Sequence, residues 1–170
     1  MSQIKCFAPV ADTNAKILIL GSMPGLASLR AVEYYAHPRN IFWRIIESLI
    51  NLDAKSSYEQ RIQALIVAKI ALWDVLQSCS RAGSLDTKIE KSSQIPNNFQ
   101  FFFEKHPHIT HVFFNGAVAE QIYQKLVRPE LRISRIAYLR LPSTSPANAS
   151  ITFECKRAAW QAILATGELK

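Results

Sequence analysis

The sequence predicts an α/β protein, a three-layer α/β/α sandwich around a central four-stranded parallel sheet. Four short apolar runs have the length of strands, and amphipathic segments with helical spacing separate them. Apolar residues run almost continuously along most of these strands, which is typical of parallel strands covered on both faces. Because strand and helix alternate along the chain, the pattern favours a parallel sheet with helices on both sides.

The predicted strands lie at residues 16–20, 69–75, 111–114 and 135–141. The last one differs from the others, because Ile136, Tyr138 and Leu139 alternate with polar or basic neighbours. We therefore expect the fourth strand at an edge of the sheet.

Helical periodicity is clearest after Asn40, where six apolar residues within ten positions fall on one helix face. Those residues are Ile41, Phe42, Ile45, Ile46, Leu49 and Ile50. The other predicted helices lie at residues 58–68, 117–127 and 153–164.

The composition is that of a folded protein, with 170 residues, 49% hydrophobic and 19% charged. We expect one domain over residues 1–170. Cys6, Cys79 and Cys155 are widely spaced, which argues against a zinc ribbon or an iron–sulfur cluster and suits a reducing compartment. The first ten residues lack the apolar core of a signal peptide, and no apolar run has membrane-spanning length. We expect a cytoplasmic protein without a membrane partner.

The net charge of +7 favours an acidic polymer as a partner. Residues 125–140 carry five positive side chains and one negative, and they lead directly into the polar segment Ser143-Thr144-Ser145. A solvated basic surface explains this stretch equally well. The charge therefore permits nucleic-acid binding without proving it.

Ligands of open α/β sheets bind beyond the carboxyl ends of the strands. The segments of interest are therefore residues 21–40, 74–84, 115–116 and 142–148. The first begins with Gly21-Ser22-Met23-Pro24-Gly25, a stiff turn that lets another molecule approach the backbone. It matches neither the GK[ST] phosphate loop nor GxGxxG, and an ordinary strand-ending turn is the alternative.

Residues 34–43, with the sequence YYAHPRNIFW, crowd aromatic and polar side chains into one short loop. Aromatic rings can stack a nucleobase, and Asn or His can hydrogen-bond its edge. Each residue also has a structural interpretation. Asn40 suits a helix N-cap, His37 a surface position, and Phe42 and Trp43 the core.

These segments together carry a resemblance to a known family. GSMPG at residues 21–25 with YYAHPRNIFW resembles the first motif of the uracil-DNA glycosylase superfamily, and LPSTSPAN at residues 141–148 resembles its second motif. LWDV at residues 72–75 and GSLD at residues 83–86 are similar to the hypoxanthine-DNA glycosylase branch. The first of these motifs is also similar to that of the mismatch-specific uracil/thymine branch. The resemblance spans residues 16–160 and implies an enzyme of base excision repair that flips a damaged base out of DNA and hydrolyses its glycosidic bond.

The chain departs from classical members of that superfamily at two positions. Met23 stands where they place a water-positioning Asp or Asn, and Ser143 or Thr144 stands near their second-motif histidine. The hypoxanthine branch resembles this chain in both departures. In that branch the asparagine that ends the His-Pro-Arg-Asn run is the essential polar residue, which implies Asn40 as the catalytic residue here.

Hypoxanthine presents N1–H as a donor and O6 as an acceptor. We expect Asp74 to accept from N1–H and Asn115 to supply either sense, although a cap and a turn residue are the respective alternatives. The hydroxyls of the second motif are expected to bind phosphates, with a Pro/Ser-rich surface loop as the alternative. The predicted base-binding residues are Ser22, Tyr35, His37, Phe42, Asp74 and Asn115, and the predicted DNA-binding residues are Gly21, Pro24, Gly25, Ser143, Thr144, Ser145, Pro146 and Asn148.

Neither a metal nor a cofactor is expected. His106, His108 and His111 lack an acidic or thiol partner nearby, and no lysine has a recognisable Schiff-base setting. The expected enzyme is a monomeric, monofunctional hydrolase acting on double-stranded or single-stranded DNA that contains a deaminated base. Two alternatives stay open, namely a uracil or G·U/G·T mismatch glycosylase and a binding module without catalysis.

Overall fold

The computed structural model describes residues 3–165. Its strands are β1 (Gln3–Lys5), β2 (Ile17–Gly21), β3 (Ile70–Asp74), β4 (Leu76–Ser80), β5 (Ile95–Pro96), β6 (His111–Asn115) and β7 (Ala137–Leu141). Its α-helices are α1 (Leu26–Ala31), α2 (Phe42–Ile50), α3 (Tyr58–Val67), α4 (Phe99–Lys105), α5 (Ala117–Leu126) and α6 (Phe153–Trp160). Short 3-10 turns occupy Asp86–Lys88, Lys91–Ser93, Arg128–Glu130 and Gln161–Ile163.

The central sheet is parallel, with the strand order β3-β2-β6-β7. The predicted fold class is confirmed, and β7 lies at an edge as its alternating pattern indicates. The register pairs Gly21 with Asp74 and Asn115 with Leu141, so the last residues of the four strands form one row. This row is where the loops meet.

Helices cover both faces of this sheet. Successive side chains of β2 point to opposite faces, and each set packs against different helices. Ile17 and Ile19 pack into a cluster with α2, α3 and α6, whereas Leu18 and Leu20 pack into a second cluster with α4 and α5. All four side chains are completely buried. None of the helices within residues 3–165 is long and apolar enough to cross a bilayer.

A second, antiparallel sheet of the order β1-β4-β5 was not predicted from the sequence. Its strands are only two to five residues long, and β4 alternates buried and exposed side chains with little apolar content. Helices α1 and α4 were also missed, since six or seven residues are too few to show helical periodicity.

Hydrogen bonds from the helices fix the loop after β7. The Trp160 indole donates to the Pro142 carbonyl at 2.9 Å, and the Ile41 amide donates to the Thr144 carbonyl at 3.2 Å. Gly116 allows the same loop to approach β6, because a Cβ there would lie 2.8 Å from the Ser143 Cβ, and its φ of +97° favours glycine. The second motif is thereby held against the end of the sheet.

Candidate active site

A cavity of about 400 Å³ opens at the carboxyl ends of β2, β3, β6 and β7. This volume lies in the range of ligand-binding pockets and accommodates a single nucleobase. Except for Phe42 and Asn148, all the predicted site residues line it: Gly21, Ser22, Pro24, Gly25, Tyr35, His37, Asn40, Asp74, Asn115, Ser143, Thr144, Ser145 and Pro146.

The deepest part of the cavity is formed by Gly21, Asp74 and Tyr35. A Cβ on Gly21 would lie 2.5 Å from Asp74 Oδ1 and 3.0 Å from the Tyr35 hydroxyl, so both polar groups occupy the space next to this glycine. Gly21 is itself buried, and its role in binding DNA stays a prediction. Its missing side chain admits Asp74 and Tyr35.

The Asp74 carboxyl lies in an unusual environment. The residue is 3% exposed, and its Oδ2 atom is buried without a hydrogen-bond partner. Burial, followed by the nearby Asp86 charge, raises the pKa of Asp74 to about 8, with Arg81 opposing the shift. A carboxyl group with this pKa is protonated at neutral pH, and in that form it both donates and accepts hydrogen bonds.

The aromatic wall of the cavity is Tyr35, whose backbone has a φ of +57°. Phe42 stacks on one face of this ring, with centroids 4.0 Å apart and an interplanar angle of 23°. Phe42 is completely buried, so the prediction that it contacts the base is wrong for this structure. Because Phe42 covers one face of Tyr35, the tyrosine is the ring that remains available for stacking on a base.

Asn40 both supports the start of α2 and lines the cavity. Its Oδ1 accepts a hydrogen bond at 3.0 Å from the Phe42 amide, the first amide of the helix, although Ile41 holds the N-cap position itself. The residue is only partly buried. The backbone contact fixes the carbonyl side of the amide, and the NH₂ group makes no hydrogen bond to the residues that the structure describes. His37 lies next to it, where its Nδ1 accepts from the Arg39 amide at 3.1 Å.

Asn115 and Thr144 bind each other through two hydrogen bonds. The Asn115 NH₂ donates to the Thr144 hydroxyl, and the Thr144 amide donates to Asn115 Oδ1, both at 2.9 Å. Thr144 is 1% exposed, so its hydroxyl is not available to a phosphate, and that prediction is corrected. Asn115 lies beside Tyr35 as well, and its role in binding the base stays a prediction.

The remaining residues of the second motif stiffen its loop. The Ser143 hydroxyl accepts from the Ser145 amide, and the Ser145 hydroxyl accepts from the Ala147 amide, both at 3.2 Å. Asn148 lies outside the cavity lining, and its NH₂ donates to the Ser143 carbonyl at 3.1 Å. It supports the loop through this contact, and its role in binding DNA stays a prediction.

Arg81 and Asp86, both on the segment after β4, complete the site, although no role was predicted for them. Asp86 lines the cavity and accepts a hydrogen bond from the Ser22 hydroxyl at 2.5 Å. The fully buried Arg81 side chain donates to the Pro24 carbonyl, and the Ser84 hydroxyl accepts from the Leu26 amide at 2.9 Å. The GSLD stretch marked this segment, but the interval 74–84 chosen from the strand end stopped two residues short of Asp86.

The site therefore combines a stacking tyrosine, a neutral buried carboxyl, two amides and a second carboxyl within one cavity. Comparisons with known proteins point to one family for this arrangement. The model of the uracil DNA glycosylase superfamily matches residues 8–164. The chain belongs to the uracil DNA glycosylase superfamily.

Two relatives within this superfamily carry the name hypoxanthine DNA glycosylase. The protein from Methanosarcina barkeri (strain Fusaro) is 44% identical over 123 residues, which cover 72% of this chain and 76% of the relative. The protein from Methanosarcina acetivorans is 35% identical over 158 residues, which cover 92% and 95%.

The fold is also found in a solution NMR structure of a candidate uracil DNA glycosylase from Methanosarcina acetivorans. That structure matches with a TM-score of 0.81 and 33% identity, covering 97% of this chain and 98% of that one. The α/β fold of the superfamily is thus shared over almost the whole chain.

Met23 stands at the position that, by the resemblance of the first motif, corresponds to an Asp or Asn in classical members of the superfamily. Its side chain is 6% exposed and packs into the cluster that contains Leu20 and Val75. The first turn therefore contributes no acidic group. Within residues 3–165, no three His, Cys, Asp or Glu side chains are grouped to hold a metal.

Gly21→Ala is expected to destabilise the protein, because the new methyl group would force Asp74 or Tyr35 to move. We expect a loss of about 1–3 kcal/mol in the free energy of unfolding, measured by urea denaturation. The matched control is Gly25→Ala, whose Cβ would meet Ser84 at an ordinary 3.7 Å, and we expect it to cost less than about 1 kcal/mol. Equal losses for the two variants would contradict the crowding at Gly21.

Asp74→Asn should remove a pH-dependent loss in the free energy of unfolding. Because the pKa of Asp74 is raised in the folded state to about 8, the folded protein holds this proton while the unfolded chain releases it near pH 4. The stability of the wild-type protein relative to Asp74→Asn should therefore fall as pH rises from 4 to 8, by on the order of a few kcal/mol, and stay level above pH 8.

Urea denaturation at several pH values measures this difference. Glu154→Gln is the control, since it makes the same chemical change at an exposed position. A stability difference between wild type and Asp74→Asn that does not change with pH would show that Asp74 is ionised throughout.

Proposed function

We propose that this protein is a monofunctional DNA glycosylase that removes hypoxanthine from DNA by hydrolysing its N-glycosidic bond. The observation that carries the proposal is the buried Asp74 carboxyl, which belongs to the cavity lining and whose Oδ2 atom has no hydrogen-bond partner among residues 3–165. A buried polar group without a partner costs stability, so such a group points to a ligand. The two relatives named hypoxanthine DNA glycosylase support the choice of base.

A neutral carboxyl group matches the Watson–Crick edge of hypoxanthine. Its carbonyl oxygen accepts from N1–H, and its O–H donates to O6, which makes two parallel hydrogen bonds. This assignment extends the expectation that Asp74 only accepts, because the raised pKa of Asp74 supplies the donor as well. Stacking on Tyr35 would hold the plane of the base.

Extrusion of the base adds selectivity. An enzyme of this class reaches its bond only after the nucleotide leaves the stack, and a mispaired base costs least to extrude. Hypoxanthine pairs poorly with thymine, so it leaves a duplex more easily than the adenine from which it is formed. Exposed Arg39 at the cavity mouth is positioned to bind a phosphate of the extruded nucleotide.

Asn40 is proposed to act on the sugar. Its amide is preorganised by the hydrogen bond from Phe42, so it can orient water or stabilise the positive sugar without rearranging. No lysine lines the cavity among the residues that the structure describes. This supports hydrolysis that leaves an abasic site rather than a Schiff-base lyase step.

Uracil excision is the second candidate. Uracil offers the same N–H and C=O pair as hypoxanthine, so Asp74 does not by itself separate the two bases. The structural neighbour described as a candidate uracil DNA glycosylase favours this alternative. The size of the cavity and the cost of extrusion would then decide between the bases.

We further propose that the enzyme works as a single-domain monomer in the cytoplasm, on damaged bases in double-stranded or single-stranded DNA. Two hydrophobic clusters share one central sheet, which supports a single domain. Cys6, Cys79 and Cys155 are free thiols, which suits a reducing compartment.

Incubation with duplexes that contain one deoxyinosine, one deoxyuridine or one G·T mismatch tests the substrate. We expect abasic sites, revealed by alkali, at deoxyinosine, and no strand cleavage without alkali. Cleavage at deoxyuridine alone would move the assignment to uracil excision. Binding without cleavage of any duplex would indicate a protein that has lost catalysis.

Substitution of Asn40 separates its two roles. Asn40→Ser keeps a side-chain oxygen that can accept from the Phe42 amide, whereas Asn40→Ala removes that acceptor and should cost about 1 kcal/mol in the free energy of unfolding. We expect both variants to lose about a hundredfold to a thousandfold in single-turnover rate, since both lack the amide. Near-normal activity of Asn40→Ser would show that Asn40 only binds the Phe42 amide and takes no part in the reaction.

A further inference from the structure

Two carboxyl groups line the cavity, and they differ in the hydrogen-bond donors around them. Asp74 and Asp86 are the only acidic side chains among its lining residues in the described part of the chain. They are close enough for the charge of Asp86 to raise the pKa of Asp74. A pair of carboxyls whose environments differ in this way is suited to two different tasks in one reaction.

Asp86 is held by two donors. The Ser22 hydroxyl donates to Oδ2 at 2.5 Å, and such a donor favours the ionised form of a carboxyl group. The Arg81 guanidinium lies 3.5 Å from Oδ1. Burial raises the pKa of Asp86, while the Ser22 hydrogen bond and the Arg81 charge act in the opposite direction.

The position of Asp86 is fixed although its loop is largely exposed. Arg81 contacts the carbonyls of Gly83 and Pro24, and Ser84 accepts from the Leu26 amide, so the loop is fastened to the first turn. A backbone bridge between Arg81 and Ile89 closes the loop at its base. One third of the Asp86 side chain stays exposed towards the cavity, at 33%.

Asp74 has the contrasting environment, because Oδ2 has no donor and the residue is almost fully buried. Since a carboxylate needs donors to stay ionised when it is removed from water, Asp86 is the group that ionises first. The negative charge of Asp86 then keeps the proton on Asp74.

We propose that Asp86 is a second catalytic residue of this cavity, an ionised carboxylate that stabilises the positive sugar and takes a proton from the attacking water while neutral Asp74 holds the base. The proposal rests on the proposed glycosylase function. It also gives Ser22 the task of orienting Asp86, since the hydroxyl proton of Ser22 is already donated to that carboxylate.

In this step the water oxygen forms a bond to C1′ of the deoxyribose. The C1′–N9 bond breaks, and its electron pair leaves with hypoxanthine. One proton of the water goes to the Asp86 carboxylate and then to solvent, and the departing base takes up one proton from solvent. The net change is the addition of one water molecule across the glycosidic bond.

The pH dependence of the rate follows from the groups that face Asp86. They are Arg81 beyond the end of β4, Asp74 at the end of β3, Tyr35 on the loop before α2, and the Cys79 thiol of β4, whose pKa is raised by burial. Because burial raises the pKa of Tyr35 and of Cys79, both groups stay neutral near neutral pH. The rate should therefore rise with pH as Asp86 ionises, and fall near pH 8 as Asp74 loses its O–H donor.

Single-turnover excision of hypoxanthine from a deoxyinosine duplex, measured from pH 5 to 9, tests the proposal. We expect Asp86→Asn to slow the reaction about a hundredfold or more and to remove the rising limb of the profile, and Asp86→Glu to restore that limb. Glu90→Gln is the matched control, because it makes the same type of change at an exposed position near the same loop, and it should leave rate and profile unchanged.

Ser22→Ala keeps the test decisive if Asp86→Asn does not fold. Loss of the Ser22 donor should shift the rising limb to higher pH, whereas a purely structural contact would leave it in place. If the wild-type enzyme is active and Asp86→Asn has the same pH–rate profile, the role of Asp86 is wrong while the proposed function stands. If Asp86→Asn does not fold, an unchanged pH–rate profile of Ser22→Ala leads to the same conclusion. A wild-type protein inactive on deoxyinosine, deoxyuridine and G·T duplexes would overturn the proposed function together with this inference.

Discussion

The contact between Gly21 and the Asp74 carboxyl is the constraint on which the site depends. Parallel register places these two residues side by side at the ends of neighbouring strands, and the absence of a side chain on Gly21 gives the carboxyl its space. The carboxyl is thereby removed from water without a donor for Oδ2. This arrangement costs stability, and such a cost is typical of a group kept for a ligand.

The rest of the cavity is assembled around that carboxyl by hydrogen bonds that join its loops. Thr144 joins the second motif to the end of β6 through Asn115 and to the start of α2 through Ile41. Arg81 fastens a third loop to the first turn. Three segments distant in sequence therefore face one space. This preorganisation is what a reaction that stabilises a short-lived sugar cation requires.

The central sheet and most of its helices were predictable because their apolar periodicity reports burial directly. The short helix α4 and the antiparallel sheet escaped, since seven-residue and two-residue elements carry no period. Within the site, the sequence predicted which loops meet at the cavity, but not which side chains contact one another. Phe42 had the right type for base stacking, but only the fold shows that it lies behind Tyr35. Asp86 was out of reach because its relevance comes from Ser22, 64 positions away in the chain.

The central claim is that the cavity holds an extruded hypoxanthine read by Asp74. The most direct measurement is a crystal structure of the protein bound to duplex DNA that contains a non-hydrolysable deoxyinosine analogue. The account predicts the base against the free face of Tyr35, with N1 and O6 each within hydrogen-bond distance of an oxygen of the Asp74 carboxyl. A base that stays in the helix stack, or that enters the cavity with its N1–O6 edge turned away from Asp74, would contradict it.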